Sequence, residues 1–329
     1  MITTLEDAPA AVSRSDLLRQ IADLKKARNA VILAHNYELP EVQDVADYVG
    51  DSLFLAREAA RSRAEVIVFC GVHFMAETAA ILCPGQKVLL PDLNAGCSLA
   101  DSITVEQLVA WKQAHPGAVV VSYVNTSAAV KAESDYCVTS SNAVAVVRSI
   151  PAGREILFLP DMYLGSHVAE ATGRKMHIWM GECHVHAGIN PAALDAVSRL
   201  HPGAELLIHP ECGCSTPALW AAGDRKSRAG QRVITSTDGM LRYVSSSPSR
   251  EVIVATELGI IHRMRQLNPE KEFVPASRTA ICPYMKMITL EKIHTALRTL
   301  SPQITVEPDI ARRAIVPIER MLEVAATAA

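Results

Sequence analysis

No GxGxxG, no GxxxxGK[ST] and no HExxH occurs anywhere in this chain. Those absences weigh against a nicotinamide dehydrogenase, a P-loop enzyme and a zinc protease of the familiar kinds. Charge of either sign is never concentrated in a long run, and a net charge of −3 leaves no electrostatic footprint for nucleic acid. No apolar run reaches the length of a membrane span. Residues Met1 to Ser13 lack a basic segment followed by a long apolar stretch, so a cytoplasmic protein is expected. No Ser/Gly-rich linker divides the 329 residues, and no CxxC pair is present.

What the chain does have is apolar bulk and cysteine. Hydrophobic residues make up 49% and charged residues 20%, enough to bury a sizeable core. The eight cysteines are Cys70, Cys83, Cys97, Cys137, Cys183, Cys212, Cys214 and Cys282. In a cytoplasmic chain they do not read as a disulfide framework; metal ligation, catalysis and core packing are the alternatives. Cys183 sits in the stretch GECHVH, beside His184 and His186, yet no further cysteine precedes Cys212. If Cys183 binds a metal, its partners come from elsewhere in the chain.

Short apolar runs end in polar residues, and several precede amphipathic segments. AVILAHNY (30–37), EVIVFCG (65–71), KVLLPD (87–92), AVVVSYVN (118–125) and EILFLPD (155–161) are five. HIWMG (177–181), ELLIHPE (205–211), RVITST (232–237), EVIVATE (251–257) and EFVPAS (272–277) are five more. Helical patterns include Ser15–Ala27, Thr104–Ala114 and Leu290–Leu300. This is the signature of βα units whose parallel strands are covered on both faces.

Four landmarks recur in one order at intervals of about 86 to 99 residues. A strand ends in His35-Asn36-Tyr37, then Tyr123-Val124-Asn125, then His209-Pro210-Glu211. A hydroxyl cluster follows at Ser52, at Thr139-Ser140-Ser141 and at Ser236-Thr237. A second strand ends near Cys70, Pro160 and Thr256, and a lone cysteine closes each set: Cys97, Cys183, Cys282. The expected fold class is therefore α/β, with three similar three-layer αβα domains over 1–113, 114–200 and 201–329. Parallel sheets bind ligands beyond the carboxyl ends of their strands. Three such ends related by pseudo-threefold symmetry would enclose one central cavity.

In that arrangement Cys97, Cys183 and Cys282 are one ligand from each unit. Each precedes a helical segment, whose N-terminus is expected to lower the thiol pKa. Three thiolates suit zinc with an open fourth position, or a 4Fe–4S cluster with one iron free to act as a Lewis acid. Ser52, Ser140 and Thr237, leading into helices, suit a phosphate or carboxylate. His35, Tyr37, Tyr123, Asn125, His186, His209 and Glu211 add acids, bases and hydrogen-bonding groups. Glu211 leads as the proton-transfer residue, with Tyr37 and His209 beside it. His184 has no assigned place. Cys70, Cys83 and Cys137 read as core, and Cys212 and Cys214 receive no role.

With these residues in view, the chain resembles the quinolinate synthase family of bacterial NAD biosynthesis. The resemblance runs from about Val31 to Glu323. It rests on LAHNYELPEVQDVADYVGDS (33–52), GVHFMAE (71–77), YVNTSA (123–128), HPEC (209–212), TELGIIH (256–262) and CPYMKMITLEK (282–292). It implies three αβα domains about a pseudo-threefold axis and a 4Fe–4S cluster on Cys97, Cys183 and Cys282. It implies condensation of iminoaspartate with dihydroxyacetone phosphate to quinolinate, with loss of phosphate and two waters. His35, Tyr37, Tyr123 and Asn125 would then belong to the substrate pocket, and Ser52 and Ser140 would bind the phosphate or a carboxylate. Thr237, His186 and His209 would touch substrate or intermediates, and Glu211 would move protons. Functional coupling to L-aspartate oxidase also follows from the resemblance. Some relatives carry CxxCxxC at the third ligand; here positions 276 and 279 are Ala276 and Thr279, so no redox switch is expected there. A zinc-dependent lyase or hydrolase on the same three cysteines is the rival reading. An iron–sulfur sensor would need an effector surface that the sequence lacks.

Overall fold

Residues 13–213, 215 and 232–327 are described in a computed structural model of the chain. The runs of branched aliphatic residues fold as strands because helices cover both faces of each sheet, leaving no solvent side on which polar residues would alternate. The first sheet holds β1 (Ala30–His35), β2 (Tyr48–Gly50), β3 (Val66–Cys70) and β4 (Lys87–Leu89) in the order β2-β1-β3-β4. The second holds β5 (Val119–Tyr123), β6 (Tyr136–Val138), β7 (Ile156–Leu159) and β8 (His177–Ile178), ordered β6-β5-β7-β8. The third holds β9 (Glu205–Ile208), β10 (Arg232–Ile234), β11 (Glu251–Ala255) and β12 (Glu272–Pro275), ordered β10-β9-β11-β12. Every named pairing is parallel. The protein is thus α/β, with three parallel four-stranded sheets of one and the same strand order.

Two strands escape the sequence reading, β2 and β6. Each has three residues, too short for a hydrophobic period to register. The same device starts both. Asp47 accepts the Ile32 amide of β1 at 2.8 Å, and Asp135 accepts the Val120 amide of β5 at 2.8 Å. An aspartate thus satisfies an amide of the central strand where the edge strand has not yet begun to pair.

Register carries the strand ends into place. His35 pairs with Gly50, Tyr123 with Val138 and Ile208 with Ile234. The residues that follow on both members of each pair therefore emerge at the same end of the sheet. The chain after Cys282 then returns to the earlier units. Helix Leu290–Thr299 packs on helix Arg14–Ala27, and Gln303 makes an antiparallel bridge to Leu89. Helix Pro308–Thr327 packs on helix Ala128–Ala132 and on β6. Among the described residues no helix is long and apolar enough to cross a membrane.

Candidate active site

His35, Tyr37, Ser52, Tyr123, Asn125, Ser140, His186, His209, Glu211 and Thr237 all line one cavity, together with Cys97, Cys183 and Cys282. It encloses about 720 Å³ of empty space, its mouth included. Strand ends of all three sheets contribute. The two ends that carry histidine share one local turn. The Tyr37 amide donates to Nδ1 of His35 at 3.2 Å, and the Glu211 amide donates to Nδ1 of His209 at 3.4 Å. With Nδ1 an acceptor in both rings, the proton of each neutral imidazole lies on Nε2. Burial pushes both imidazoles down to about 3, so both are neutral at physiological pH. Nε2 of His209 reaches the Ser140 hydroxyl at 3.3 Å.

The hydroxyl residues are not simply helix caps. Asp51 caps helix Ser52–Arg61 by accepting the Phe54 amide, which leaves Ser52 at the first helical position. Ser236 caps helix Thr237–Ser246 by accepting the Gly239 amide, which leaves Thr237 in the matching place. Two helix N-termini therefore present side-chain hydroxyls to the cavity, a combination suited to an anion. Ser141 ties the two caps together, donating to Asp51 at 2.6 Å and sharing a hydrogen bond with the Ser236 hydroxyl at 2.9 Å. Thr237 accepts from Asn36 of the first unit at 3.2 Å.

His186 and Glu211 form the charged centre. Nδ1 of His186 lies 3.3 Å from Glu211 and 3.2 Å from the Cys183 sulfur, and its Nε2 lies 2.9 Å from Thr256. Burial disfavours its charge, yet Cys183 and Glu211 raise its pKa well above the ordinary value. Burial likewise opposes charge on Glu211, but the His186 cation and the Tyr123 hydroxyl, which donates to it, hold its pKa below the ordinary carboxylate value. With His209 neutral, His186 is the cation of the pair. Tyr37 joins the network through Thr256, 2.5 Å from its hydroxyl. Burial, with Glu211 next, raises the pKa of both Tyr37 and Tyr123, so both stay protonated donors.

Cys183 directly precedes the short helix His184–Ala187, and Cys97 and Cys282 precede short turns, but the thiols of Cys97 and Cys282 are not lowered as expected. Backbone amides of Leu99 and Ala100 beside the Cys97 sulfur, and of Tyr284 and Met285 beside the Cys282 sulfur, favour the thiolate. Burial outweighs those amides: it raises the Cys97 thiol strongly and the Cys282 thiol to about 11. At these two sulfurs desolvation therefore outweighs stabilisation of the thiolate by backbone amides. All three cysteines line the one cavity. Yet they do not form a group with all atoms within 4.8 Å; among the described residues such groups are Cys183-His186-Glu211 and His115-Glu155-His177. Thiolates on one zinc, with bonds of about 2.3 Å, stand closer than that. The trio is therefore spaced more widely than a single zinc ion needs.

Comparison with known proteins decides the family. The family model for the quinolinate synthetase A protein matches residues 19–323. This chain belongs to the quinolinate synthetase A family. The quinolinate synthase of one Thermus thermophilus strain is 57% identical over 308 residues, 94% of this chain and 97% of the relative. That of Mycobacterium sp. strain KMS is 55% identical over 306 residues, 93% of this chain and 91% of the relative. A Mycobacterium tuberculosis quinolinate synthase is also 55% identical, across 93% of this chain and 88% of its own length. The chain is an enzyme of this family, the quinolinate synthases of NAD biosynthesis.

One buried acidic residue lining the cavity of this quinolinate synthetase A chain, Glu257, escaped the sequence reading. Glu257, 1% exposed, accepts the Cys282 amide at 3.1 Å and the Gly259 amide at 2.6 Å, and pairs with Lys286 at 3.0 Å. Lys286 also donates to the Tyr37 carbonyl, joining the third unit to the first. Glu257 directly follows Thr256, a landmark already noted, so its position was the available signal. His184, left unassigned, lines the cavity with Ser98. Cys70, Cys83 and Cys137 are buried core residues. Cys212 is buried too, and Cys214 lies outside the described residues.

Proposed function

We propose that this cavity condenses iminoaspartate with dihydroxyacetone phosphate to quinolinate, releasing phosphate and two waters. The supporting observation is the meeting of one cysteine from each unit with the His186–Glu211 pair in a single cavity of a quinolinate synthetase A chain. Cys97, Cys183 and Cys282 would hold a 4Fe–4S cluster, and the iron left without cysteine would supply Lewis acidity for the dehydration steps.

The remaining chemistry belongs to side chains. Ser52 and Thr237, with the amides of their helix N-termini, and Ser140 hold the phosphate or a carboxylate without any lysine. His35 and His209, neutral, donate from Nε2 to substrate oxygens. Asn125 has a buried side-chain oxygen with no hydrogen-bond partner, an acceptor for an imine or amine N–H. Glu211 takes and returns protons, with Tyr37 and Tyr123 as nearby donors. Before substrate enters, the neighbouring His186 cation makes Glu211 a weaker base than a free carboxylate. Carboxylate and phosphate charges arriving beside it raise its pKa towards the working range. Burial of His35, Tyr37, Tyr123, His186, His209 and Glu211 keeps bulk water from the hydrolysable imine. The same reading puts the enzyme in the cytoplasm, drawing iminoaspartate from an L-aspartate oxidase.

Zinc is the second reading, favoured by Cys183, His186 and Glu211, whose ligand atoms lie within 4.8 Å of one another. Anaerobic purification with iron, sulfide and zinc counting separates the two, followed by an assay for quinolinate. Iron and sulfide together with quinolinate formation are expected, and replacing Cys97, Cys183 or Cys282 singly with Ala abolishes both. Zinc without sulfide, or a full cluster in any of the three variants, overturns the assignment.

A further inference from the structure

Each ligand cysteine is followed, one or two residues on, by a side chain that reaches the turn of another. Ser98 Oγ, after Cys97, lies 2.6 Å from Nδ1 of His184, after Cys183. The His184 ring meets Tyr284, two residues after Cys282, edge to face, with centroids 6.1 Å apart at 85°. The Tyr284 ring in turn covers Gly96, just before Cys97; a Cβ built on Gly96 would stand 3.8 Å from it. These three contacts close a circle through three turns that come from three different sheets. All four residues line the cavity that the cysteines line. His184 is exposed while the next two residues, Val185 and His186, are buried, so the circle lies on the solvent side of its turn.

We propose that Ser98, His184 and Tyr284 form a collar that fixes the spacing of the three cysteine turns and covers the metal group they hold. The inference rests on the cluster reading above. The collar residues are positioning residues rather than ligands. Nδ1 of His184 is engaged by Ser98, and among the described residues His184 belongs to no group of ligand atoms close enough to share one ion. The physical need is plain. Local chain geometry sets the direction of each thiol, but nothing local sets the distance between turns more than 80 residues apart. Contacts made across the turns supply that constraint, and they shield the site from solvent on the side where it is open.

The test compares wild type, His184→Ala, His184→Gln and Ser98→Ala, all purified anaerobically, with iron and sulfide counted. Iron release to a ferrous chelator is then followed over time, with the cluster's spectrum recorded at the start. His184→Ala and Ser98→Ala are expected to release iron roughly five-fold faster or more, the scale set by one lost hydrogen bond. His184→Gln, whose amide can still bond Ser98, recovers part of the slow release, and the global unfolding midpoint stays that of wild type. Wild-type release rates in both His184→Ala and Ser98→Ala, from proteins that start with a full cluster, overturn the collar. Wild type that holds no iron and sulfide removes the cluster reading itself, and the collar with it.

Discussion

Glu211 takes its character from residues far along the chain. Its carboxylate accepts from Tyr123, 88 positions away, and pairs with His186 across 3.3 Å. Replacing it with Gln keeps size and hydrogen bonding but removes the proton acceptor. Turnover is expected to fall by roughly 10²–10⁴-fold, the usual worth of a general acid–base group. Iron content and unfolding midpoint should stay near wild type; full turnover in Glu211→Gln would take proton transfer away from this residue. The identity of such residues was legible because His-x-Tyr and His-x-Glu stand at strand ends of the repeated units. Their charge states were not. The neutrality of His35 and His209 and the cationic state of His186 depend on burial and on which partner each ring meets.

Among the elements, caps and edge strands decide where side chains emerge. Asp51 and Ser236 do the capping, and that leaves Ser52 and Thr237 facing the cavity. The sequence named the hydroxyls but could not tell cap from neighbour, since either register satisfies the local pattern. One tie between elements titrates. Asp92, in the loop before Cys97, accepts from Lys292 of helix Leu290–Thr299 at 2.6 Å, and that bond lowers its pKa. A carboxyl depressed in the folded state stabilises above its unfolded pKa, and this is lost as pH falls through the folded value. The stability difference between wild type and Asp92→Asn should therefore be complete above about pH 5, a unit over the ordinary aspartate value of roughly 3.9. It should vanish in stronger acid. Urea unfolding at a series of pH values checks this, and a difference independent of pH refutes it.

For the molecule as a whole, the C-terminal segment binds the units together. Helix Pro308–Thr327 buries Ala314, Ile318 and Met321 against Leu53, Ile81, Ala128 and Cys137, residues of the first and second units. Ile318→Ala empties a fully buried position there and is expected to cost about 2–5 kcal/mol. Denaturant unfolding measures it, and a change under about 0.5 kcal/mol, typical of surface sites, would show that the helix packs loosely. The chain beyond Cys282 packs on elements of both earlier sheets.

By itself the sequence determined the class of fold, the longer strands and many of the polar groups that line the cavity. Strands buried on both faces must be continuously apolar, and a threefold repeat of landmarks survives in the order of residues. Only the tertiary structure decided which of these groups meet. Tyr37 bonds Thr256 across 219 positions, and Asn36 bonds Thr237 across 201. Such contacts are set by how whole sheets pack, and the pKa of every buried group follows from them, because burial and neighbouring charge exist only once the units have closed on one another.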